Sequence, residues 1–192
     1  MQKPARTERI AIGSPDTTVP EGTVRVWDPF VRIFHWTLAL AIGTAWLSAG
    51  RANELHQWAG FGATAMIGLR LIWGFWGSEY ALFSQFVRSP AQVLSYLRSM
   101  ANGHEVRFLG HNPAGGAMIL TLILAIPASV LSGWLMTTDA FFGVAWVGTL
   151  HSLIVHGLAL LVFLHLAGVL IASVRHKENL VIAMISGRKR LS

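Results

Sequence analysis

Apolar residues gather into four blocks, at about 31–49, 55–76, 113–137 and 147–174, with polar residues between and around them. Each block is close to the ~20 residues that a helix needs to cross ~30 Å of hydrocarbon. The pattern predicts an all-α membrane protein, a four-transmembrane-helix bundle. About five residues, around Gly50 to Glu54, separate the first two blocks, which makes those helices antiparallel neighbours. The fourth block is the longest and is expected to project beyond the membrane. Pro127, inside the third, should kink it. Residues 1–27 read as a polar N-terminal tail: with Pro4, Pro15 and Pro20 and no apolar core, they resemble a flexible arm rather than a cleaved signal peptide. Residues 28–175 form the transmembrane domain, and 176–192 a basic C-terminal segment.

Composition supports the membrane reading, since 53% of the residues are hydrophobic and only 12% charged. The absence of cysteine excludes a disulfide framework, thiolate metal sites, iron–sulfur clusters and covalent haem attachment through thioethers. The net charge of +6 would suggest nucleic-acid binding in a soluble protein. Here the basic residues flank the apolar blocks, as insertion and anionic lipid require, and nucleic acid is not an expected partner. Lys3, Arg6, Arg9, Arg25 and Arg32 lie before or at the start of the first block, Arg88, Arg98 and Arg107 between the second and third, and Arg175, Lys177, Arg188, Lys189 and Arg190 after the fourth. Only Arg51 falls in the opposite loops, so the positive-inside rule places both termini in the cytoplasm. Trp27, Trp36, Trp73 and Trp76 then belong to the inner interface, and Trp46, Trp58, Trp134 and Trp146 to the outer one.

Four histidines, His35, His56, His151 and His165, lie in or at the edge of these blocks. An ionisable side chain in hydrocarbon usually marks a partner or a cofactor. His35 lies near the cytoplasmic end of the first helix and His56 at the outer start of the second. On the fourth helix His151 is at the outer level, and His165, fourteen residues on, is about 21 Å deeper and within about 40° of the same face. The pairs are therefore His35 with His165 and His56 with His151. A flat macrocycle between helices needs one neutral imidazole from each side, and this arrangement offers that twice, as two non-covalent haems in a bis-histidine bundle. Imidazoles in twos, at separate levels, do not suit zinc or nickel, and no helix carries the Glu-x-x-His motif of a carboxylate-bridged centre.

Secondary candidates follow from depth. Arg70 lies fourteen residues after His56, on nearly the same face but at the inner level, where it could meet a haem propionate or snorkel to the headgroups. Arg32 has the same two readings, and Arg51 is the strong basic candidate near the outer pair. Small residues Gly43, Gly60, Gly68, Gly116 and Gly133 suit close approach of a ring or, for most of them, plain helix packing. His156 is off the ligand face and reads as a packing or hydrogen-bonding residue, and His104 in its polar loop is given no role. His111, Arg175, His176 and Lys177 at the cytoplasmic edge are candidates for protonating a quinone, ubiquinone or menaquinone, with interfacial anchoring as the plainer reading.

The stretches Val24-Arg25-Val26-Trp27-Asp28-Pro29-Phe30, Arg32-Ile33-Phe34-His35-Trp36 and Glu54-Leu55-His56-Gln57-Trp58-Ala59-Gly60, the fourteen-residue step from His151 to His165, and the tail from His176-Lys177-Glu178-Asn179-Leu180 to Gly187-Arg188-Lys189-Arg190 resemble the bacterial cytochrome b561 family, including its b-type cytochromes that accompany nickel–iron hydrogenases. The resemblance covers nearly the whole chain after the tail. It implies four membrane helices, two non-covalent b haems, ligands at His35, His56, His151 and His165, and electron exchange between a partner at the outer face and quinone. The reading that emerges is an inner-membrane, multi-pass dihaem cytochrome b. It would link a periplasmic donor, such as a hydrogenase, another dehydrogenase or a cytochrome c, with the quinone pool, and a homodimer is left open. One rival keeps the haems but makes the chain a stand-alone quinone-linked oxidoreductase acting on a small species such as superoxide. Another is a haem-free metal permease or assembly factor.

Overall fold

The computed structural model of the protein describes residues 22–104 and 106–191; the expected N-terminal arm, apart from its last few residues, lies outside them. Four long helices dominate: α1 (Pro29–Ser48), α2 (Asn53–Trp76), α5 (Pro113–Leu135) and α6 (Ala145–Arg175). The short elements α3 (Phe83–Phe86) and α4 (Pro90–Ala101) lie between α2 and α5. Helix α7 (Leu180–Ser186) follows α6, and strands β1 (Thr23–Arg25) and β2 (Arg188–Arg190) flank the whole.

The long helices begin where chemistry lets them. Asp28 accepts a hydrogen bond from the Val31 amide at 2.9 Å, and Pro29 supplies the first helical residue of α1. Asn112 and Pro113 do the same for α5, with the Gly115 amide 2.7 Å from the Asn112 carboxamide oxygen. Helix α5 runs on through Pro127. Helices α1, α5 and α6 are each long and apolar enough to cross a membrane. Helix α2 has the length, at 24 residues, but with Glu54, His56 and Arg70 inside it falls short on apolar character.

Helix α1 packs on α2, α2 on α5, and α5 on α6, whereas α1 and α6 share no extensive backbone contact. An apolar layer of Phe34, Ala63, Ile67, Ile123, Ile126 and Leu158 draws on all four helices and fills the middle of the bundle. Leu158 lies seven residues, about two turns, from both His151 and His165.

The short elements all gather at one end of the bundle. The sequence reading assigns no structure to 77–112 or 180–190, yet these residues build a cap there. Ser89 and Gln92 form a reciprocal capping box that starts α4 behind Pro90. Asn179 caps α7, and Gly187, at φ +79°, ends it in the left-handed region. The chain then returns as β2, antiparallel to β1, with Val24 opposite Lys189. A Cβ at Gly187 would lie 2.5 Å from the Trp27 carbonyl oxygen, so the crossing needs glycine. Asp28 joins this end to α2: its second carboxylate oxygen accepts from Trp73 Nε1 at 3.1 Å and from the Ser78 hydroxyl. Burial would raise the Asp28 pKa, but these donors and the Val31 amide outweigh it and hold the carboxyl below its ordinary value.

Glu178 is the button of the cap. Its carboxylate accepts from the Arg190 amide at 2.7 Å and from Arg107 at 3.1 Å, while the Lys189 ammonium, 3.9 Å away, donates to the Phe108 carbonyl. Burial pushes the Glu178 pKa up, but these hydrogen bonds and cations bring it net below 4.5. The Lys189 ammonium is also held below its ordinary value, because its burial outweighs the attraction of the carboxylate. A carboxyl with a lowered folded pKa adds stability above its unfolded pKa and loses it as pH falls through the folded one. Acidification below about pH 4.5 is therefore expected to loosen residues 180–190 before the bundle, seen as faster hydrogen exchange there. Glu178→Gln should exchange fast at neutral pH already and lose the acid step.

Candidate functional site

The structure sets the four membrane histidines in two facing pairs. His35 on α1 faces His165 on α6, with ring centres 6.4 Å apart and planes at 48°. His56 on α2 faces His151 on α6, also at 6.4 Å, with planes at 87°. The pairs join α6 to α1 and to α2, two helices with which it shares no extensive backbone contact.

The separation tests what can lie between the rings. A metal bound by two opposed imidazoles needs about 2 Å for each metal–nitrogen bond and about 1 Å more to each ring centre, or roughly 6 Å in all. Both pairs match that span. Among the described residues no group of three or more metal-ligating side chains comes together, so a metal held by either pair would take its remaining ligands from elsewhere, as haem iron does from its porphyrin.

The outer pair is oriented by the helices around it. His56 Nδ1 lies 2.7 Å from the Ala45 carbonyl oxygen of α1. His151 Nδ1 lies 3.0 Å from the Ser129 carbonyl oxygen and 3.1 Å from the Ser132 hydroxyl on α5. A carbonyl can only accept, so Nδ1 carries the proton in both rings and Nε2 is left with its lone pair free, the tautomer that a metal ligand needs. In the inner pair, His35 Nδ1 is buried without a partner, and the His35 ring has its edge against Trp36 at 5.2 Å.

The sequence gives no hint of Ala45, Ser129 and Ser132 as anchors, because two of the three contacts are made by backbone carbonyls. Gly133 is legible as a close-approach residue: a Cβ there would lie 3.0 Å from His151 Cε1. Gly60 faces Val130 and Gly116 meets the Phe86 carbonyl, so both serve packing, while Gly43 and Gly68 face open space.

The basic candidates have separate settings. Arg70 is 3% exposed; it does not snorkel. It donates to the Ala81 carbonyl at 2.8 Å and its guanidinium lies 5.4 Å from the Phe83 ring centre and 5.8 Å from that of Phe86. Its other terminal nitrogen, Nη1, is buried and unpartnered, as is Arg32 Nε. Arg51 is exposed and turns back onto the Leu47 carbonyl at 3.1 Å. Pro29, Arg32, Ile33, Trp36, Thr37 and Ile185 line an open groove of about 620 Å³ between α1 and α7.

The quinone candidates do not share one setting. His111 is enclosed by Trp27 and Phe86, at 4.6 and 5.1 Å between ring centres, with Nδ1 buried and unpartnered. Burial, followed by the charges of Arg70 and Lys189, lowers its pKa to about 3, so the ring is neutral. Arg175 is exposed and donates to the Met100 carbonyl at 3.0 Å. His176 caps α6, and Lys177, exposed, takes a left-handed φ of 49°. His156 is exposed, with Nδ1 2.7 Å from the Ser152 carbonyl oxygen of its own helix, in keeping with a hydrogen-bonding role.

A bundle of four long helices, three of them long and apolar enough to cross a membrane, defines a multi-pass membrane protein. Residues 26–187 match the family model described as prokaryotic cytochrome b561, and the chain belongs to that family. It is a membrane b-type cytochrome of electron transfer. Among curated proteins it is similar to a probable Ni/Fe-hydrogenase B-type cytochrome subunit of Rhodobacter capsulatus, 25% identical over 215 aligned positions that take in 87% of this chain and 81% of the relative. No solved structure matches it.

The position of Gly133 gives a direct test of ring placement. Gly133→Val should push the His151 imidazole off its carbonyl anchor and disturb the outer site alone. The readout is the absorbance spectrum of the purified chain, which is expected to shift from that of the wild type while the helix content by circular dichroism is unchanged.

Proposed function

We propose that the protein is a dihaem cytochrome b whose four long helices all span the bacterial inner membrane, with both termini in the cytoplasm. It carries electrons between a periplasmic donor and the quinone pool. The observation that carries this reading is the 6.4 Å separation repeated in both histidine pairs. His35 and His165 would hold the inner b haem, and His56 and His151 the outer one. When bound, each haem supplies an iron that cycles between ferric and ferrous states one electron at a time. With one imidazole of each pair offered from either side, the chain would leave no position for oxygen, which favours outer-sphere transfer.

The chain's own residues orient and insulate. The Ala45 and Ser129 carbonyls hold the outer imidazoles in the ligating tautomer. Phe34, Ala63, Ile67, Ile123, Ile126 and Leu158 separate the two levels with hydrocarbon that excludes water. Arg32 and Arg70 are the inner cations available to haem carboxylates, and Arg51 the outer one. Gathering of the capped, basic elements at the His35 end supports a cytoplasmic orientation for that end. A relative named as a hydrogenase cytochrome subunit supports a dehydrogenase as the outer donor.

Quinone would meet the inner haem from the groove between α1 and α7. The groove is mainly apolar, lies beside Trp36, and has Arg32 as its cation. Arg175, His176 and Lys177 lie at the same end, where a proton can enter from water.

Substitution of the ligands tests the whole reading. The purified chain should be red, with pyridine haemochrome near two per chain. His165→Ala or His35→Ala should remove one redox component, and His56→Ala or His151→Ala the other. A colourless wild-type protein would sink the proposal and favour the permease reading. The groove has its own test: Thr37→Trp should raise the KM for a soluble quinone analogue several-fold, with haem content unchanged. Unaltered quinone kinetics would move that site elsewhere.

A further inference from the structure

Among the described residues five buried side-chain polar atoms lack a hydrogen-bond partner: Arg32 Nε, His35 Nδ1, Thr64 Oγ1, Arg70 Nη1 and His111 Nδ1. Four of the five belong to residues at the inner, capped end. The outer pair shows the opposite condition, since His56 and His151 both have Nδ1 on a carbonyl oxygen. Buried polar groups are normally satisfied, and a buried guanidinium with an unmatched nitrogen is costly. The imbalance therefore singles out the inner end as the place with unmatched nitrogens.

Arg70 and His111 frame that place. Phe86 touches both, with the guanidinium 5.8 Å from its ring centre and the imidazole ring centre 5.1 Å away. Phe83, which lies 5.4 Å from the Arg70 guanidinium, packs on the layer that contains Phe34, the sequence neighbour of His35. The protein's own nearby carboxylate, Asp28, is already taken by the Val31 amide, Trp73 and Ser78. What Arg70 lacks is an acceptor, an anionic one suits it, and His111 can meet the same acceptor in its Nδ1–H tautomer.

We propose that Arg70 and His111 form a buried carboxylate seat for the propionates of the inner haem, and that His111 acts there as a neutral N–H donor rather than as a quinone residue. The seat rests on the haem reading above and deepens it. Arg70 is fixed by Ala81, Phe83 and Phe86 before any ligand arrives, so it presents Nη1 without an ordering cost. His111 is held by the two aromatic rings in the same way. The outer site has no equivalent among the described residues: Arg51 is exposed and occupied with Leu47. The two haems would then differ in kind, the inner one gripped by its carboxylates and the outer one by oriented imidazoles.

The test is a redox titration of the purified holoprotein, with haem counted by pyridine haemochrome and the propionate carboxylate bands followed in reduced-minus-oxidised infrared spectra. Arg70→Gln and His111→Ala are each expected to shift or remove the component that His165→Ala removes, to lower haem from two towards one per chain, and to move the carboxylate bands. The component that His56→Ala removes should keep its position, which shows that the chain is folded. Arg70→Lys and His111→Gln, which retain a donor, should restore most of the inner component. If both components and the carboxylate bands stay at their wild-type positions in Arg70→Gln and His111→Ala, the seat does not exist. A His111→Ala chain altered only in its KM for quinone would equally overturn the seat. A wild-type chain without haem would instead overturn the haem assignment on which the seat depends, and is recognised at once by its lack of colour.

Discussion

An imidazole inside hydrocarbon must be neutral and must be given something to bind, and this one requirement organises the bundle. Helix α6 carries two such rings fourteen residues apart, nearly four full turns, so both point to one side of a 31-residue helix. That side cannot be closed by packing against α1. Helices α2 and α5 lie between α1 and α6 as spacers, and the apolar layer around Leu158 pins the four helices together at mid-depth. The two histidine pairs lie on either side of that layer, each with its ring centres 6.4 Å apart.

The two ends of the bundle solve different problems. At the outer end the connections are short, with α1 joined to α2 through 49–52 and α5 to α6 through 136–144. Orientation there has to come from the helices themselves, through the Ala45 and Ser129 carbonyls. At the inner end the chain has 77–112 and 176–191 available, and it uses them to build a cap. Asp28 ties α1 to α2, Arg70 ties α2 to the turn at Ala81, Trp27 and Phe86 enclose His111, and Glu178 fastens β2 to the loop through Arg107. Most of these contacts join a charged or aromatic side chain to a group far away in sequence.

That difference explains what could be read from the sequence. The long helices and the expected histidine pairs follow from hydropathy and from 3.6-residue geometry, both local properties. The cap obeys no local period. Strands of three residues and a helix of seven are too short to show one. Strands β1 and β2 come from opposite ends of the described chain, and their register, Thr23 opposite Arg190, is set by contacts that only the folded chain makes. Within the cap the local signals are at helix ends, the capping-box signature of Ser89-Pro90-Ala91-Gln92 for α4 and Asn179 and Gly187 for α7. Arg70 shows the limit most clearly. Its depth is legible, but the Ala81 carbonyl and the rings of Phe83 and Phe86 that keep it from the headgroups come from a segment with no membrane pattern.

On the proposed reading, the layer between the histidine pairs also separates two kinds of traffic. Phe34, Ala63, Ile67, Ile123, Ile126 and Leu158 have no side-chain group that can carry a proton. An electron can tunnel through such a layer, whereas a proton needs a chain of donors and acceptors. Of the hydroxyls near the layer, Ser129 and Ser132 donate to the Ile126 and Ser129 carbonyls of their own helix, Ser132 also meeting His151 Nδ1, and Thr64 has no partner that would continue a chain. Quinone chemistry couples electrons to protons, and it therefore belongs at the end where water, cations and a groove are found together. The apolar middle of the bundle is thus both what holds the helices in register and what lets the two faces of the membrane exchange electrons without exchanging protons.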